Sequence, residues 1–269
     1  MIIDAHVHIS LYKGNAVSLE KSRDLLLEEM ARNGIAYAIV IPDNIEHLTD
    51  IADLEKAIEL TKGHKEFFLL GSPQIIQRGS DELQKYKELL EQGTVKGIKF
   101  FPGHDPYYPT DKRCMPYYEL LQNLDHPIVI HTGDVSSDPR IKNPLEYNDP
   151  KYIVEIAKNF PKLKIVIAHY FWPKIDYCYE ITHKIANIYF DLAGTGDAEV
   201  LEKSGGIEKM RNILEKTIQD RPDKVIFGTD WPMCDIKKHI DLVRSLKVDE
   251  VTKERVFSKN AVEVYKLLL

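Results

Sequence analysis

The sequence predicts a single α/β domain over residues 1–269, a (β/α)8 TIM barrel with a C-terminal helical extension. Short apolar runs rich in Ile, Val and Phe alternate with amphipathic helical segments, and eight of each can be counted. Such runs are typical of parallel strands buried on both faces, and eight units favour a closed barrel over an open doubly wound sheet. No Gly-x-Gly-x-x-Gly follows the first run, which also argues against an open dinucleotide-binding sheet.

The first half of the chain shows start and stop signals for each element. Ser18 and an acidic first turn open a helix that Asn33-Gly34 closes, and Pro42 ends the second strand. Ser80 is the predicted cap of a third helix. The predicted strands are 2–8, 36–41, 67–70 and 95–101, and the predicted helices are 18–33, 50–62 and the segment after Ser80.

The second half repeats this alternation. Asp149 followed by Pro150 predicts a helix cap with proline at the first helical position. Helices that alternate with buried strands must cover the sheet, as they do in a barrel. The predicted strands are 127–131, 164–169, 188–192 and 225–230, and the predicted helices are 116–123, 150–160, 175–185 and 207–219, with two more helical patterns between 235 and 269.

The composition disfavours several classes of partner. The net charge is −6, from 42 acidic against 36 basic residues, and no basic run stands out, so neither nucleic acid nor a membrane surface is expected as a partner. Cys114, Cys178 and Cys234 form no disulfide or thiolate-zinc pattern, which is typical of a reducing compartment. The first residues show no leader pattern, and no window approaches about 20 apolar residues. We expect a cytoplasmic protein that acts on a small molecule, and homo-oligomerisation is left open.

Four predicted strands end in side chains that can bind a metal. His6 and His8 close the first strand, and their spacing of two places both imidazoles on one face. His131, His169 and Asp230 close three later apolar runs. The C-terminal ends of all strands meet on one face of a barrel, so these side chains should converge. Three imidazoles and a carboxylate, from His6, His8, His131 and Asp230, suit zinc, with iron or manganese as alternatives, and His169 is either a further ligand or a proton-transfer group.

Several short motifs carry a family resemblance, and they occur in order on the expected strands. They are Asp4-Ala5-His6-Val7-His8, Gly97-Ile98-Lys99-Phe100-Phe101-Pro102, Ile130-His131-Thr132-Gly133, Ala168-His169, Gly228-Thr229-Asp230-Trp231-Pro232 and, near the end, Asn260-Ala261-Val262-Glu263-Val264-Tyr265. The chain resembles the amidohydrolase superfamily, in its amidohydrolase-related branch of small barrels. The resemblance implies that His6, His8, His131 and Asp230 bind one divalent metal, most often zinc, together with a water. It also implies that His169 orients this water or the substrate, and that Asp230 can accept the water's proton.

Lys99 and the loops around the site offer substrate contacts. Strand alternation places Lys99 on the face of Gly97 and Phe101, away from the apolar layer under the helices. In some binuclear members of the superfamily a lysine on strand 4 is carboxylated and bridges two metals, which would add a second ion here. The branch that the chain resembles usually holds one metal, so we expect an unmodified Lys99 that pairs with an anionic substrate group or with Asp230. Further candidate contacts in the loops are Tyr108, Arg113, Arg140, Tyr170 and Trp172.

The leading functional prediction is a hydrolase that uses a metal-activated water to attack the carbonyl of a small ester, lactone or amide. The alternative is a metal-dependent nonoxidative decarboxylase of an aromatic or unsaturated carboxylic acid, which the same branch builds on the same ligands. Lys99, Arg113 and Arg140 could then hold the carboxylate. A nuclease is disfavoured, because Lys99 stands where the superfamily's metal-dependent DNases usually place glutamate and because the chain is acidic. A metal-binding barrel without activity stays open.

The remaining histidines and carboxylates receive weaker predictions. Solvated side chains are expected for His47, His64, His126, His183 and His239. His104 is left open between pocket and surface. Asp4 is expected to hydrogen-bond a ligand histidine, because metal-bound imidazoles usually need such a partner. Asp43 and Asp191 also follow strands, but the sequence assigns them no role.

Overall fold

Eight parallel strands follow one another in chain order. The structure is a computed structural model, and it describes residues 1–43, 50–136 and 138–269. Every predicted strand forms within these ranges, although most are shorter than predicted. The strands are β1 (Ile2–Val7), β2 (Ile35–Val40), β3 (Phe67–Leu69), β4 (Ile98–Phe100), β5 (Ile128–Ile130), β6 (Ile165–Ile167), β7 (Ile188–Asp191) and β8 (Val225–Ile226).

Parallel pairing closes these strands into a ring. β1 to β3 form one run of paired strands, and β4 to β8 form another. The two runs join where the Gly71 N–H donates to the Gly97 carbonyl at 2.8 Å and Gly71 bridges to Ile98. On the other side, the Ala5 N–H donates to the Phe227 carbonyl at 2.9 Å. The molecule is therefore a (β/α)8 TIM barrel, and the predicted fold class is confirmed.

The register of the central strands explains where Lys99 points. Lys99 on β4 is level with Val129 on β5, which is level with Val166 on β6. Both valines belong to the apolar cluster inside the barrel. Side chains that share a level and a face point the same way, so Lys99 extends into the barrel rather than beneath the helices.

Helices cover the outside of the barrel, and several begin at a polar cap. The Ser18 hydroxyl accepts a hydrogen bond from the Lys21 N–H, and Gly34 ends the same helix with a left-handed φ of 71°. In the described ranges, no helix is both long and apolar enough to cross a bilayer. The helices are α1 (Leu19–Asn33), α2 (Leu54–Thr61), α3 (Ile75–Arg78), α4 (Leu83–Glu91), α5 (Met115–Leu124), α6 (Pro144–Tyr147), α7 (Pro150–Asn159), α8 (Ile175–Thr182), α9 (Ala198–Lys203), α10 (Ile207–Asp220), α11 (Ile236–Ser245), α12 (Glu250–Glu254) and α13 (Asn260–Tyr265), with 3-10 turns at Tyr12–Gly14 and Ala168–Phe171 and a π-helical turn at Arg255–Lys259.

Some predicted helix boundaries are wrong. Ser80 does not cap a helix, because α4 begins at Leu83 with Glu82 as its N-cap and no side-chain cap bond. The second helix begins at Leu54, where the Asp53 side chain accepts from the Lys56 N–H. The short helices α3, α6 and α9 were not predicted, because four to six residues span too few turns to show a helical period.

The C-terminal segment closes the barrel at the N-terminal ends of the strands. Ala261, Val264 and Tyr265 of α13 are buried in the same apolar cluster as the inward side chains of the strands. The Asn260 side-chain amide donates to the carbonyl of Val225, at the start of β8, at 2.7 Å. The predicted helical extension is therefore a plug that completes the core.

Candidate active site

A cavity of about 450 Å³ lies at the C-terminal ends of the strands. Its lining includes seven residues that the sequence nominates for the site: His6, His8, Lys99, His131, His169, Trp172 and Asp230. They come from the first, fourth, fifth, sixth and eighth strands or from the segments that follow them. Ring closure is what brings them together, as expected for the C-terminal face of a TIM barrel.

His6 and His8 are held so that one nitrogen of each faces the cavity. Nδ1 of His6 lies 2.8 Å from Asp191 Oδ2, and Nδ1 of His8 lies 2.8 Å from the Ile41 carbonyl oxygen. Both oxygens are acceptors, so both Nδ1 atoms carry a proton, and the neutral form of each ring then presents a lone pair at Nε2. Burial, followed by the charge of Lys99, lowers the pKa of His6 to about 3, which keeps this imidazole neutral.

Asp230 brings a carboxylate to the same point. Its Oδ1 lies 3.5 Å from His6 Nε2 and 3.3 Å from His8 Nε2. Burial would raise the pKa of Asp230, but the neighbouring histidines, led by His169, outweigh it and hold the pKa below its usual range. The backbone of Asp230 is left-handed at φ 70°, and its N–H donates to the His6 carbonyl at 2.8 Å. A conformation that is rare for a non-glycine residue thus aims this carboxylate at the two imidazoles.

His169 and His131 extend the cluster of imidazoles. The ring centroid of His169 lies 4.8 Å from that of His6 and 4.8 Å from that of His131. The Nδ1 of His169 donates to the Ala193 carbonyl at 3.1 Å, so its Nε2 also keeps a lone pair. One ligand atom each from His6, His169 and Asp230 lies within 4.8 Å of the others. His131 Nε2 is buried without a hydrogen-bond partner, and burial holds the pKa of His131 well below its usual value.

The turn that carries His169 has an unusual backbone. Residues 169–171 are three consecutive left-handed residues, with φ of 63°, 56° and 55°, and none is glycine. Each such residue costs roughly 1 kcal/mol or more, so the turn must be held by its surroundings. The Thr132 hydroxyl donates to the Ala168 carbonyl and accepts from the Phe171 N–H at 2.9 Å. Thr132 therefore ties the loop after β5 to both ends of this turn.

Asp191 is the carboxylate that orients the site. Its Oδ2 accepts from His6 Nδ1, and its Oδ1 accepts from the His169 backbone N–H at 3.0 Å. Burial raises the pKa of Asp191, but the charge and hydrogen bond of His6, together with the charges of His169 and Lys99, outweigh it and the pKa falls to about 2. Asp4 hydrogen-bonds a predicted ligand histidine, as expected, but through the His6 backbone N–H and not through the imidazole, whose partner is Asp191. The Asp4 carboxylate accepts from the His6 backbone N–H and from the backbone and hydroxyl of Thr229, so it ties the first strand to the eighth.

Lys99 and Asp43 are ionisable side chains in the cavity wall, and each has a polar atom without a hydrogen-bond partner among the described residues. Lys99 is fully buried, and its Nζ lies 5.4 Å from the centre of the Phe101 ring. Burial lowers the pKa of Lys99 to about 8, against the opposing effect of Asp191, Asp230 and Asp43. Asp43 is 5% exposed, and its Oδ1 has no hydrogen-bond partner. Burial raises the pKa of Asp43 to about 7.

Four loop residues that the sequence offers as substrate contacts lie outside the cavity lining. Each has a partner elsewhere that accounts for its direction. The pairs are Arg113 with Asp111, Arg140 with Asp138, Tyr108 with Glu146 and Tyr170 with Thr217. These pairings could not be predicted from sequence position alone, because the pattern of strands does not determine which partners the loop side chains contact. Of the five loop candidates, only Trp172 lines the cavity.

The structure also shows where two other histidines lie. The expectation of a solvated His239 is wrong, because it is 1% exposed and its Nε2 accepts from the Gly196 N–H at 3.1 Å. This bond ties α11 to the loop after β7. His104 lines the cavity, with its ring centroid 4.2 Å from that of His131. His47 lies outside the described residues.

The cluster of donors fits a divalent metal ion. Nε2 of His6 and Nε2 of His8 each lie within 3.5 Å of Asp230 Oδ1, and one ligand atom each from His6, His169 and Asp230 lies within 4.8 Å of the others, a spacing that a shared cation would stabilise. The buried, unpartnered Nε2 of His131 fits the same purpose. Fold and site together define a TIM-barrel protein with a candidate metal centre at the C-terminal face of the barrel.

The family follows from the sequence as a whole. A model of an amidohydrolase family, Amidohydro_2, matches residues 3–267, so the chain belongs to this family of enzymes. The resemblance noted from the short motifs is thereby confirmed. No curated protein matches the chain in sequence.

Several solved structures share the fold over nearly the whole chain. An uncharacterized TIM-barrel protein from Bordetella bronchiseptica is 20% identical with a TM-score of 0.79, and the match covers 98% of both chains. A dihydroxybenzoic acid decarboxylase from Polaromonas, with bound manganese and 2-nitroresorcinol, is 15% identical with a TM-score of 0.71, covering 99% of this chain and 97% of that one. A probable 2-pyrone-4,6-dicarboxylic acid hydrolase from Acinetobacter baumannii, with bound citric acid, is 13% identical with a TM-score of 0.67, covering 99% of both. At these identities the likeness shows the fold alone.

Proposed function

We propose that this protein is a metal-dependent nonoxidative decarboxylase of a small carboxylic acid. The observation that carries the proposal is Lys99, a fully buried ammonium group that lines the same cavity as the candidate metal ligands and has no hydrogen-bond partner in the described ranges. The similar folds support it, because most of those with a stated activity are decarboxylases, including enzymes for 5-carboxyvanillate and 2,6-dihydroxybenzoate. The hydrolase that the sequence favours is therefore the second candidate.

The metal would be held by His6, His8, His131 and Asp230, with His169 beside them. Manganese is the first ion to test, because the Polaromonas decarboxylase binds it, and zinc is the second. When bound, such an ion supplies Lewis acidity that draws electron density from a substrate oxygen next to the reacting carbon.

The side chains of the chain account for the rest of the reaction. Lys99 Nζ binds the substrate carboxylate, and Trp172 and Phe101 give the wall of the cavity apolar surface. His169 takes up a proton from solvent at Nε2 and passes it to the carbon that bears the carboxylate. Burial lowers the pKa of His169, so its protonated form gives up the proton more readily than a solvated imidazolium does. The bond from this carbon to the carboxylate then breaks, carbon dioxide leaves, and a hydrogen stands in its place.

Hydrolysis remains the second candidate because of Asp230. Its carboxylate lies beside two imidazoles and stays ionised, since its pKa is held below the usual range, chiefly by the histidines against burial. An ionised carboxylate at this point can accept a proton from an attacking water. The similar fold of the probable 2-pyrone-4,6-dicarboxylic acid hydrolase is in line with this reading.

The deciding experiment measures carbon dioxide. The manganese-loaded protein is incubated with aromatic and unsaturated carboxylic acids carrying a 13C-labelled carboxyl group, and in parallel with esters, lactones and amides. We expect labelled carbon dioxide in equal amount to the acid consumed. Lys99→Met should lower kcat/KM about a hundredfold or more with unchanged metal content, because a buried carboxylate contact is lost. Lys96→Met is the control, since Lys96 lies near β4 but outside the cavity lining. Turnover of esters or lactones with no carbon dioxide from any acid would reverse the order of the two candidates.

A further inference from the structure

We propose that Asp43 and Lys99 form a two-point subsite that selects a substrate with a single carboxylate and a neighbouring amino group. The inference rests on the proposed function for the reaction, and it adds which acid the cavity accepts. Lys99 lies on β4 and Asp43 follows β2, so the subsite lies on one side of the barrel mouth.

Two buried polar atoms in the cavity wall lack a partner. Within the described part of the chain, Lys99 Nζ and Asp43 Oδ1 are both buried without a hydrogen-bond partner, so they do not bond to each other. Both line the same cavity, and the charge of each opposes the effect of burial on the pKa of the other. A buried polar group without a partner is unfavourable, and the cavity beside them is where a partner can enter. One ligand that presents an acceptor to Lys99 and a donor to Asp43 would satisfy both.

The charge of the cavity limits how many carboxylates a ligand can carry. Among its described lining residues, Lys99 is the only lysine or arginine. Five lining residues are acidic: Asp43, Asp134, Asp197, Glu199 and Asp230. With Asp230 assigned to the metal, the other four carboxylates are left to repel a second substrate carboxylate, and Arg113 and Arg140 are paired with other carboxylates outside the lining. The cavity therefore favours a monocarboxylic acid, in contrast to the dicarboxylic acid named for one similar structure.

Asp43 requires a hydrogen-bond donor from the ligand. An amino group offers N–H donors and is neutral or positive, which suits an acidic surrounding. A hydroxyl on an aromatic ring also donates, but if it ionises it adds a negative charge next to the carboxylate of Asp43. A methyl group of similar size offers no donor. We therefore expect affinity to fall in the order amino, hydroxyl, methyl.

The test is a binding series on the wild-type protein loaded with manganese. Calorimetry gives dissociation constants for benzoate and for its 2-amino, 2-hydroxy and 2-methyl derivatives, with phthalate as the dicarboxylate. We expect 2-aminobenzoate to bind about tenfold or more tightly than 2-methylbenzoate, because a hydrogen bond to a charged group is gained. Phthalate should bind more weakly than benzoate.

Variants then assign the preference to Asp43. Asp43→Asn should reduce the amino preference to less than about threefold, because the charged acceptor is lost. Asp50→Asn is the matched control, since Asp50 is exposed and outside the cavity lining, and it should keep the preference. Equal binding of the amino and methyl compounds by the wild type would overturn the proposal without any variant. So would an amino preference that survives in Asp43→Asn, or phthalate binding as tight as benzoate.

The subsite and the proposed function can fail separately. Carbon dioxide release with no amino preference would leave the decarboxylase proposal standing and remove the subsite. An amino preference that depends on Asp43, with no carbon dioxide from any acid, would support the subsite and remove the decarboxylase.

Discussion

The two ends of the barrel are built from the same strands but differ in their polar groups. At the C-terminal ends, Nε2 of His6 and Nε2 of His8 lie within 3.5 Å of Asp230 Oδ1, and Lys99 Nζ has no hydrogen-bond partner among the residues described. At the N-terminal ends, α13 buries Ala261, Val264 and Tyr265 against the inward side chains of the strands. One end therefore keeps unfavourable polar contacts that a ligand can relieve, and the other fills the core.

Along a strand, the residues that stabilise the core are therefore different from the residues that line the cavity. The first strand shows both, because Ile3 and Ala5 pack inside the barrel while His6 and His8 line the cavity. The well-packed interior and closed end of the TIM barrel stabilise the fold, so unfavourable contacts can persist at the C-terminal ends of the strands. Substitutions at the C-terminal ends of the strands should therefore change metal content and turnover, whereas substitutions at the N-terminal ends should change the free energy of unfolding.

The largest effect is expected at His6. His6→Ala removes a nitrogen from the converging donors, so bound metal should be lost and turnover should fall about a thousandfold or more. Metal analysis per chain and carbon dioxide release measure the two effects. His183→Ala is the control, because His183 is partly exposed at the end of α8 and outside the cavity lining. Unchanged metal content in His6→Ala would mean that the centre is elsewhere.

A change at the closed end should affect stability instead. Tyr265 is fully buried, so Tyr265→Ala should lower the free energy of unfolding by about 3–5 kcal/mol, measured by urea denaturation. The hydroxyl of Tyr265 has no hydrogen-bond partner, and Tyr265→Phe should therefore be neutral or stabilising. Folded protein of either variant should bind metal as the wild type does. Loss of metal from well-folded Tyr265→Phe would show that the two ends are coupled.

Features that depend on the local sequence could be predicted, whereas features that depend on contacts across the barrel could not. The eight strands and the residues at their ends were predictable, because apolar runs and their last residues are local features. The role of Asp191 was not, since it lies 185 residues from His6 and meets it only through the closed ring. The turn at 169–171 also gave no signal, because its left-handed residues are not glycine or asparagine. Partners across the barrel, rather than the local sequence, set these features.

A smaller effect is expected from the tie between Thr132 and the 169–171 turn. Thr132→Val keeps the shape but removes the hydroxyl that contacts Ala168 and Phe171, so His169 should shift. We expect kcat to fall about tenfold with KM and metal content nearly unchanged, because a proton-transfer group is misplaced. Thr132→Ser restores the hydroxyl and should recover most of the rate. A serine variant as slow as the valine variant would assign Thr132 a packing role only.

The smallest effect is the pH dependence of carboxylate binding. Burial lowers the pKa of Lys99 to about 8, while Asp191, Asp230 and Asp43 oppose the shift. The ammonium is thus present below pH 8 and is lost above it, so affinity for an anion should fall as the pH rises. Between pH 7 and pH 8.5 the protonated fraction falls about fourfold, and the affinity for benzoate should follow it. Benzoate offers no hydrogen-bond donor to Asp43, so Asp43 should contribute little to its binding. The pH dependence of benzoate affinity in Lys99→Met measures any contribution of the metal centre. If the wild type and Lys99→Met change in parallel with pH, the titrating group is not Lys99, and the unpaired charge at the barrel mouth is not what binds the acid.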